Sequence, residues 1–268
     1  MHYAKTPASA PLASLVKCYY VWEHQISDHR GLTVQSPPSG YEALVFNYGA
    51  PYQIETSSNI AYTPRAFYSG QNTANYQLIL SSTVGMFGVV FFPGVFSSLF
   101  RVSVKGTANQ RIPLDEILGT EGKVLTEKIF DACTTVARIQ IIERFLLQKL
   151  WLLPLHITPA DRAAQLITHR NGMVSIQELT TEVGSSGRAL DRNFSQKVGI
   201  SPKLYARIRR FAHVSYLLMY QKADWQDVAY HAGYYDHSHF IKDFKLFNHK
   251  NPTTYLQQHK ELVKYLER

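Results

Sequence analysis

Two arginines four residues apart, Arg188 and Arg192, have the spacing most suggestive of recognition chemistry in this chain. Residues four apart on a helix project from the same side, so the two guanidinium groups would share one surface. A guanidinium matches the O6 and N7 acceptors of guanine in bidentate fashion. Asp191 and Gln196 fall on the same side, where Asp191 would accept from cytosine N4 or hold one of the arginines. The pattern favours a helix that reads base edges, with a merely solvated face as the alternative.

A second polar face is predicted about fifty residues later. Its members have mixed chemistry and comprise His237, Ser238, Ile241, Lys242 and Lys245. Lysines suit phosphate contacts, which position a protein on DNA without specifying a sequence. We therefore expect the first face to set specificity and the second to add affinity.

Both faces belong to one pattern that the last third of the chain contains twice. Four apolar or turn residues recur 50 positions apart, as Leu190, Phe194, Pro202 and Tyr205 and then as Phe240, Phe244, Pro252 and Tyr255. Gly184 and Gly233 precede the two sets. Polar residues that can cap helices stand at Ser175, Ser186, Asp224 and Asp236. This punctuation is typical of two helix-turn-helix units in tandem.

Apolar spacing predicts how the two units are held. The inner faces of the four short helices would be Ile176, Leu179 and Val183; Leu190, Phe194 and Val198; Val228, Ala229 and Ala232; and Phe240, Phe244 and Phe247. A helix from Pro202 to about Gln221, with Leu204, Ile208, Phe211 and Leu218 inward, would join the units. Its length of roughly 30 Å compares with roughly 34 Å for one turn of B-DNA. Along it, Arg207, Arg209 and Arg210 would touch phosphates or be solvated, and we expect solvation for each.

The first ~120 residues have the alternation and turn signals of a β-rich region. Predicted strands are Ala43–Tyr48, Tyr52–Ile54, Tyr76–Leu80 and Met86–Phe92, followed by a short helix over Val95–Phe100. A barrel or a sandwich is expected. Candidate residues for an apolar effector pocket are Trp22, Phe46, Tyr48, Tyr68 and Phe87, with Arg65 as a candidate anion contact. For most of these aromatic residues a plain core role is the expectation.

The pattern turns helical from about Glu121. Apolar residues recur at spacings of three and four, at Ile139, Ile142, Leu146, Leu150 and Leu153. Such a helix packs back on the β-rich region, forms a dimer seam, or does both. Pro154 and Pro159 mark a boundary. The sequence thus predicts an α+β chain of two domains: a β-rich barrel-like domain over 1–120, a helical linker over 121–156, and an all-α domain over 157–268.

Composition narrows the classes of function. The net charge is +8, of which +6 falls in residues 157–268, where it favours a polyanionic partner. The two cysteines, Cys18 and Cys133, are expected to be reduced thiols. No signal-peptide core is expected in the first thirteen residues. The longest apolar run, Val84–Phe96, is interrupted by Gly and Pro and is shorter than the ~20 residues that span a bilayer.

Enzyme chemistry is not predicted. No histidine stands between His29 and His156, so the expected strands offer no His-rich metal site. His237 and His239 would diverge by about 200° on a helix. We find no Gly-rich phosphate loop and no nucleophile elbow. A β-barrel enzyme fused to a DNA-binding module, or a regulator acting through protein contacts alone, remains the alternative.

The region from about Ile157 to Leu266 resembles the DNA-binding domain of AraC-type transcriptional regulators. The resemblance rests on Ile176 to Leu179, Leu190 to Phe194, Gly199 to Pro202, Tyr205, Ala229, Gly233-Tyr234, Ser238 to Phe240, Phe244-Lys245 and Pro252 to Tyr255. The sequence departs from the family at His249, where glycine is usual, and at Leu256, where arginine often stands. A left-handed conformation at His249 would carry some cost.

The resemblance implies a cytoplasmic, nucleoid-associated bacterial regulator without a cofactor, more often an activator than a repressor. It assigns DNA contacts to Arg188, Asp191, Arg192, His237, Ser238, Ile241 and Lys242. The full set of predicted DNA contacts also includes Gln196, Tyr235 and Lys245. The N-terminal half is similar, more weakly, to sensory domains that bind a small effector, mediate homodimerisation, or both. Double-stranded DNA, RNA polymerase, a small molecule and a second copy of the chain are the partners implied.

Overall fold

Among the described residues of the range 1–113, ten strands form two antiparallel sheets. The computed structural model describes residues 1–27, 31–152, 156–220, 228, 230–234, 237–249, 251, 252 and 254. The strands are β1 (His2–Thr6), β2 (Val16–Gln25), β3 (Leu32–Ser36), β4 (Glu42–Asn47), β5 (Gln53–Glu55), β6 (Ile60–Tyr62), β7 (Ala66–Ser69), β8 (Tyr76–Leu80), β9 (Thr83–Phe91) and β10 (Arg111–Pro113). The larger sheet has the order β1-β2-β9-β4-β7-β10 and the smaller β3-β8-β5-β6. Within the described residues they form no closed barrel, so the two-sheet alternative is the one observed.

Alternation along the strands gives the larger sheet two different faces. Phe87 and Val89 of β9 point to one side, whereas Val84 and Met86 point to the other. The first side carries the main N-terminal core and is covered by helices. The second side packs on the smaller sheet through Trp22 and its neighbours. Because the side-chain period of a strand is two, each residue's parity decides which of the two cores it joins.

Four helices belong to this part of the chain. They are α1 (Val95–Phe100), α2 (Leu114–Leu118), α3 (Thr120–Asp131) and α4 (Thr135–Leu152). Leu125 and Ile129 of α3 and Ile142 and Leu146 of α4 are buried in the same core as the sheet. The predicted helical region therefore packs back on the β-rich part. Its outer side exposes Trp151, at 84% of its surface.

The C-terminal part is helical. Its helices are α5 (Pro159–His169), α6 (Ile176–Val183), α7 (Gly187–Val198), α8 (Pro202–Tyr220) and α9 (His237–Asn248). Pro159 begins α5, where Thr158 and Asp161 form a capping box. Proline suits that first position because its missing N–H would have no helical partner there. At Pro159, one of the two prolines predicted to mark the domain boundary, the structure thus has the start of a helix. Leu153 and Pro154 lie outside the described residues.

The predicted inner faces of the helices are confirmed where the chain is described. Leu179, Val183, Leu190, Phe194, Val198, Ile208, Phe211, Leu218, Val228, Ala232, Phe240, Phe244 and Phe247 are all buried in one core, and Ile176 and Leu204 pack against it. Ala229 and the predicted caps Asp224 and Asp236 lie outside the described residues. One apolar core therefore joins both units through α8.

Candidate DNA-binding surface

The outer side of α7 presents the predicted polar set. Arg188, Asp191, Arg192 and Gln196 are exposed, while Leu190, Phe194 and Val198 hold the opposite side of the helix in the core. Within the described part of the chain, no hydrogen bond or ion pair engages Arg188, Asp191 or Arg192. Asp191 therefore does not hold either arginine. All five donors of each guanidinium remain available to a ligand.

Local sequence fixes how α6 and α7 meet. Ser175 and Glu178 form a capping box at the start of α6, and these bonds lower the pKa of Glu178. Gly184 ends α6 with a φ of +64°, a left-handed conformation that glycine adopts without a steric penalty. The Ser186 side chain then accepts from the Ala189 N–H and starts α7. The cap residues Ser175 and Ser186 and the turn residue Gly184 were all predicted from the sequence. Together they fix the orientation of α7, so that its polar side faces outward.

The outer side of α9 presents a weaker set. Ser238, Lys242 and Lys245 are exposed, and Ile241 is half-buried against the core. Tyr235 and the side chain of His237 lie outside the described residues. After α9, His249 has a φ of +58°, the left-handed conformation expected where the family has glycine. The face offers two lysines and one hydroxyl, which is more suited to phosphates than to base edges.

The arginines of α8 are not solvated, so that expectation is wrong. Arg207 Nη2 donates to Asp243 Oδ1 at 2.6 Å, and the Asp243 side chain is only 1% exposed. Arg209 Nη1 donates to the Ser39 carbonyl at 2.7 Å, and Arg210 Nη2 donates to the Gly172 carbonyl at 3.0 Å. The spacing of charged residues along α8 could not reveal these partners because each comes from a distant part of the chain.

The N-terminal part contacts both helix-turn-helix units. Val104 N donates to the Gln196 carbonyl on α7 at 2.9 Å, and Asn75 N donates to the Phe247 carbonyl on α9 at 2.8 Å. Tyr205 Oη of α8 donates to the Gly40 carbonyl at 3.1 Å. The sheets are thus bonded to both candidate recognition helices and to the helix between them.

Gly40 makes one of these contacts possible. Its φ is +78°, and a Cβ placed there would lie 2.4 Å from Arg209 Cδ. The ring of neighbouring Tyr41 lies between two cations, with Lys17 Nζ 3.9 Å and the Arg209 guanidinium 4.6 Å from its centroid. The segment before β4 therefore fits closely against α8.

A cavity of about 290 Å³ lies between the two sheets. Of the predicted pocket residues, Trp22 lines it. Phe46, Tyr68 and Phe87 instead pack in the helix-covered core on the other face of the larger sheet. Their parity along β4, β7 and β9 explains the difference, since the adjacent residues Val45 and Phe67 face the cavity. Alternation along these strands was the signal that could have separated the two sets.

Tyr48 and Arg65 also lie away from the cavity. Tyr48 Oη donates to Glu23 Oε1 at 2.7 Å, and the Arg138 guanidinium lies 3.9 Å from the centre of its ring. The Arg65 guanidinium lies 4.5 Å from the centre of the Phe130 ring. Both side chains serve packing between the sheet and the helices, and the predicted anion contact at Arg65 is not part of the cavity.

Glu42 is a buried carboxylate at the cavity wall. Its Oε2 accepts from Tyr68 Oη at 2.8 Å and its Oε1 from Phe96 N at 3.1 Å. Burial raises the pKa of Glu42 to about 7, although these hydrogen bonds act in the opposite direction. The same burial, with the adjacent carboxylate, raises the pKa of the Tyr68 hydroxyl well above its ordinary value. The pair ties β4 to β7 and α1.

Two structural features bear on alternative functions. Among the described residues, no group of three or more His, Cys, Asp or Glu side chains is arranged to hold a metal ion. No described helix combines the length and apolar character needed to cross a membrane. Cys18 and Cys133 are free thiols.

Comparison with known families identifies the C-terminal region. Residues 179–258 match the family described as a helix-turn-helix domain. This region is an AraC-type helix-turn-helix domain. The C-terminal part of the chain therefore contains a helix-turn-helix DNA-binding domain. Residues 4–113 match a second family, described as a domain of unknown function (DUF6597).

Comparison with solved structures finds matches at low sequence identity. ToxT from Vibrio cholerae, at 1.65 Å, is 11% identical with a TM-score of 0.49, covering 89% of this chain and 98% of that chain. ToxT bound to (E)-4-(8-methylnaphthalen-1-yl)but-3-enoic acid is 10% identical with a TM-score of 0.50 and the same coverage. The activator CuxR is 13% identical with a TM-score of 0.29, covering 80% and 86%. No curated protein matches the chain significantly in sequence.

Proposed function

We propose that this regulator reads a bipartite DNA site in which α7 makes the sequence-specific contacts. The observation that carries the proposal is the pair Arg188 and Arg192, which is exposed and has no partner among the described residues, on a helix whose opposite side is buried in the core. Bidentate arginine contacts to guanine discriminate by about 1–3 kcal/mol each. Asp191 and Gln196 complete a face with both donors and acceptors, as base reading needs.

In this proposal α9 adds affinity more than specificity. Lys242 and Lys245 are exposed and have the charge to neutralise phosphates. The helix α8 has 19 residues, which corresponds to roughly 28 Å. That span is close to one turn of B-DNA, so α7 and α9 would meet successive major grooves. The proposed site therefore has two blocks about one turn apart, and it is asymmetric because the two faces differ.

We propose that the N-terminal part is the sensory domain and that its cavity receives a small molecule. The supporting observation is the bonding of the cavity wall to the DNA-binding helices. Ser39 and Tyr41 line the cavity, and the Ser39 carbonyl accepts from Arg209 on α8. A ligand that moves this segment would change how α8 is held. ToxT, which is similar in fold, has been crystallised with a small organic acid.

Transcription activation is the mode of action we propose, because it is the commoner behaviour in the family that the sequence resembles. Contact with RNA polymerase and homodimerisation belong to the same proposal. The exposed Trp151 and Leu147 of α4 are the positions at which a second copy would first be sought. A regulator that acts through protein contacts alone is the alternative, and it predicts no selected DNA site.

Selection of sites from random duplex DNA tests the proposal. The purified chain should enrich an asymmetric motif with two blocks roughly one helical turn apart. Arg188→Ala with Arg192→Ala should lose one block and keep the other. A matched control, Lys123→Ala with Lys128→Ala on exposed α3, removes the same charge and should leave the motif unchanged. Enrichment of no motif, or of an unchanged motif by the arginine variant, would contradict the proposal.

A further inference from the structure

Two cavities of the sensory domain meet at one arginine. The inner cavity between the sheets has an apolar wall that includes Val34, Ile54 and Leu78. An outer recess of about 400 Å³ adjoins it and is bordered by hydroxyl and amide side chains, among them Thr56 and Asn59. Four residues line both spaces: Ile54, Asn72, Tyr76 and Arg111. The junction is therefore the place where an apolar interior turns into a polar entrance.

Arg111 lacks a partner for part of its guanidinium. Its Nη1 donates to the Asn109 carbonyl at 2.9 Å, and its guanidinium lies 4.2 Å from the centre of the Tyr76 ring. Its Nη2 is buried and makes no hydrogen bond. In the described part of the chain, no carboxylate forms an ion pair with it. A buried charged donor without an acceptor is costly, so the site is built for something that supplies one.

Other unsatisfied polar atoms surround the same spaces. Within the described residues, one donor, Trp22 Nε1 in the inner cavity, is buried without a hydrogen-bond partner, and so are two acceptors, Asn72 Oδ1 at the junction and Asn75 Oδ1 in the outer recess. The two amide oxygens would pair with donors and not with an anion. Trp22 is on β2 and Arg111 on β10, at opposite sides of the larger sheet. A ligand lying along the cavity would therefore meet a charged donor at one end and a neutral N–H at the other.

The charges around the junction favour a monoanion. Among the described lining residues, the outer recess has no acidic side chain, and the inner cavity has one, Glu42. Both oxygens of Glu42 are already bonded, to Tyr68 and to Phe96 N. Arg111 thus contributes one unneutralised positive charge with one free N–H edge. A carboxylate suits this arrangement better than a phosphate, which needs several donors for its oxygens.

We propose that the junction binds the carboxylate of a small organic acid at Arg111, with the apolar body of the acid between the sheets. The inner volume of about 290 Å³ is nearly twice that of a cavity of about 150 Å³ that accepts benzene. The body is therefore the size of one ring with a short chain, or two fused rings. This proposal rests on the sensory role proposed above.

The position of the junction gives the acid a path to the DNA-binding helices. Asn72 and Asn75 belong to the loop between β7 and β8. Asn75 N donates to the Phe247 carbonyl at the end of α9. An acid that orders this loop would act directly on the second helix-turn-helix unit.

Paired acids and amides test the charge requirement on the full-length chain. We would use 3-phenylpropionate, 2-naphthoate and octanoate, each with its primary amide, and follow binding by tryptophan fluorescence. Trp22→Phe identifies the signal that comes from the cavity. Arg111→Gln removes the charge, Arg111→Lys restores it, and Arg65→Gln removes an arginine outside the cavity. Binding of each variant to the selected DNA site checks that it is folded.

At least one acid should bind at least tenfold more tightly than its amide. Arg111→Gln should abolish this preference, Arg111→Lys should recover part of it, and Arg65→Gln should keep it. Amides that bind as tightly as acids, an acid preference that survives Arg111→Gln, or no binding by any of the three acids would overturn the proposal. DNA affinity measured with and without ligand distinguishes the carboxylate site from the sensory function. If neutral ligands change DNA affinity, the sensory function holds and the carboxylate site fails. If acids bind without changing DNA affinity, the carboxylate site holds and the sensory function fails.

Discussion

Arginines on two neighbouring helices of this protein have different surroundings. On α7, Arg188 and Arg192 are exposed and unpartnered within the described residues. On α8, Arg207, Arg209 and Arg210 each donate to a carboxylate or carbonyl that another segment supplies. The two helices have similar basic content, so the number of positive charges does not locate a DNA-binding surface. The surface is marked instead by arginines whose N–H groups make no hydrogen bond within the described part of the protein.

The difference follows from what packs on each helix. The N-terminal segment before β4 and the helix α9 both contact α8, so acceptors reach its arginines. The outer side of α7 receives no such contact at Arg188 or Arg192. We therefore expect α8 substitutions to change stability and α7 substitutions to change DNA affinity. The predictions on Arg207 and Arg209, and the final measurement on Arg188 and Arg192, test that separation.

The largest effect on folding is expected at Arg207. Arg207→Ala leaves Asp243 buried without its cation, which costs about 3 kcal/mol in the free energy of unfolding. Exposed Arg192→Ala should cost less than about 0.5 kcal/mol. Urea unfolding of both variants measures the contrast. Equal stability of the two variants would show that the Arg207 pair adds nothing to the fold.

Glu42 is a buried carboxylate that forms no ion pair with an arginine among the described residues. Its pKa is raised to about 7 in the folded chain, above its ordinary value of 4.5, because burial disfavours the charge. The folded chain therefore retains a proton that the unfolded chain loses, and stability falls as pH rises from about 4.5 through 7. The loss approaches about 3 kcal/mol. Glu42→Gln should gain stability relative to wild type between pH 5 and pH 8, and a constant difference over that range would contradict the assignment.

At Arg209 the expected cost is about 2 kcal/mol, since a charged hydrogen bond to the Ser39 carbonyl is lost. Arg209→Ala should also loosen the segment around Gly40, which limited proteolysis would detect as faster cleavage there. Arg209→Lys keeps the charge but not the planar donor geometry, and should give an intermediate result. Unchanged cleavage in Arg209→Ala would mean that this contact does not hold the segment on α8.

The smallest expected effect is on the salt dependence of DNA affinity, and it should be the same for all DNA sequences. Lys242→Ala and Lys245→Ala should each reduce the slope of log affinity against log salt by about 0.9, if each lysine neutralises one phosphate. The loss should be similar for selected and random DNA. Anisotropy titrations at several salt concentrations measure it, with Lys123→Ala on α3 as the control. A slope that is unaffected would remove α9 from the phosphate contacts.

Local signals in the sequence predicted the C-terminal part well. The caps Ser175 and Ser186, the turn at Gly184 and the buried phenylalanines of α9 depend on neighbours within a few residues. For His249 the comparison of the two repeats left two alternatives, a looser helix end or a left-handed conformation, and the structure has the left-handed one.

Local sequence patterns could not predict the contacts between distant segments of the chain. The partners of Arg207 and Arg209 come from 36 and 170 residues away, so no local pattern specified them. In the N-terminal part, neighbouring residues of β7 face opposite ways, so Phe67 lies at the cavity and Tyr68 lies in the other core. The sequence around Arg111 gave no signal of its place beside the cavity, which the loops packed around it determine. Tertiary packing therefore determined whether an aromatic or basic residue lies in a core or at a candidate site.

Affinity of the arginine variants for the selected DNA site tests the central claim most directly. Arg188→Ala and Arg192→Ala, measured separately by anisotropy with urea unfolding in parallel, should each weaken specific binding by about 10- to 100-fold without loss of stability. Binding to random DNA should weaken far less. Specific affinity that stays within twofold of wild type in both variants would contradict the assignment of α7 as the reading helix.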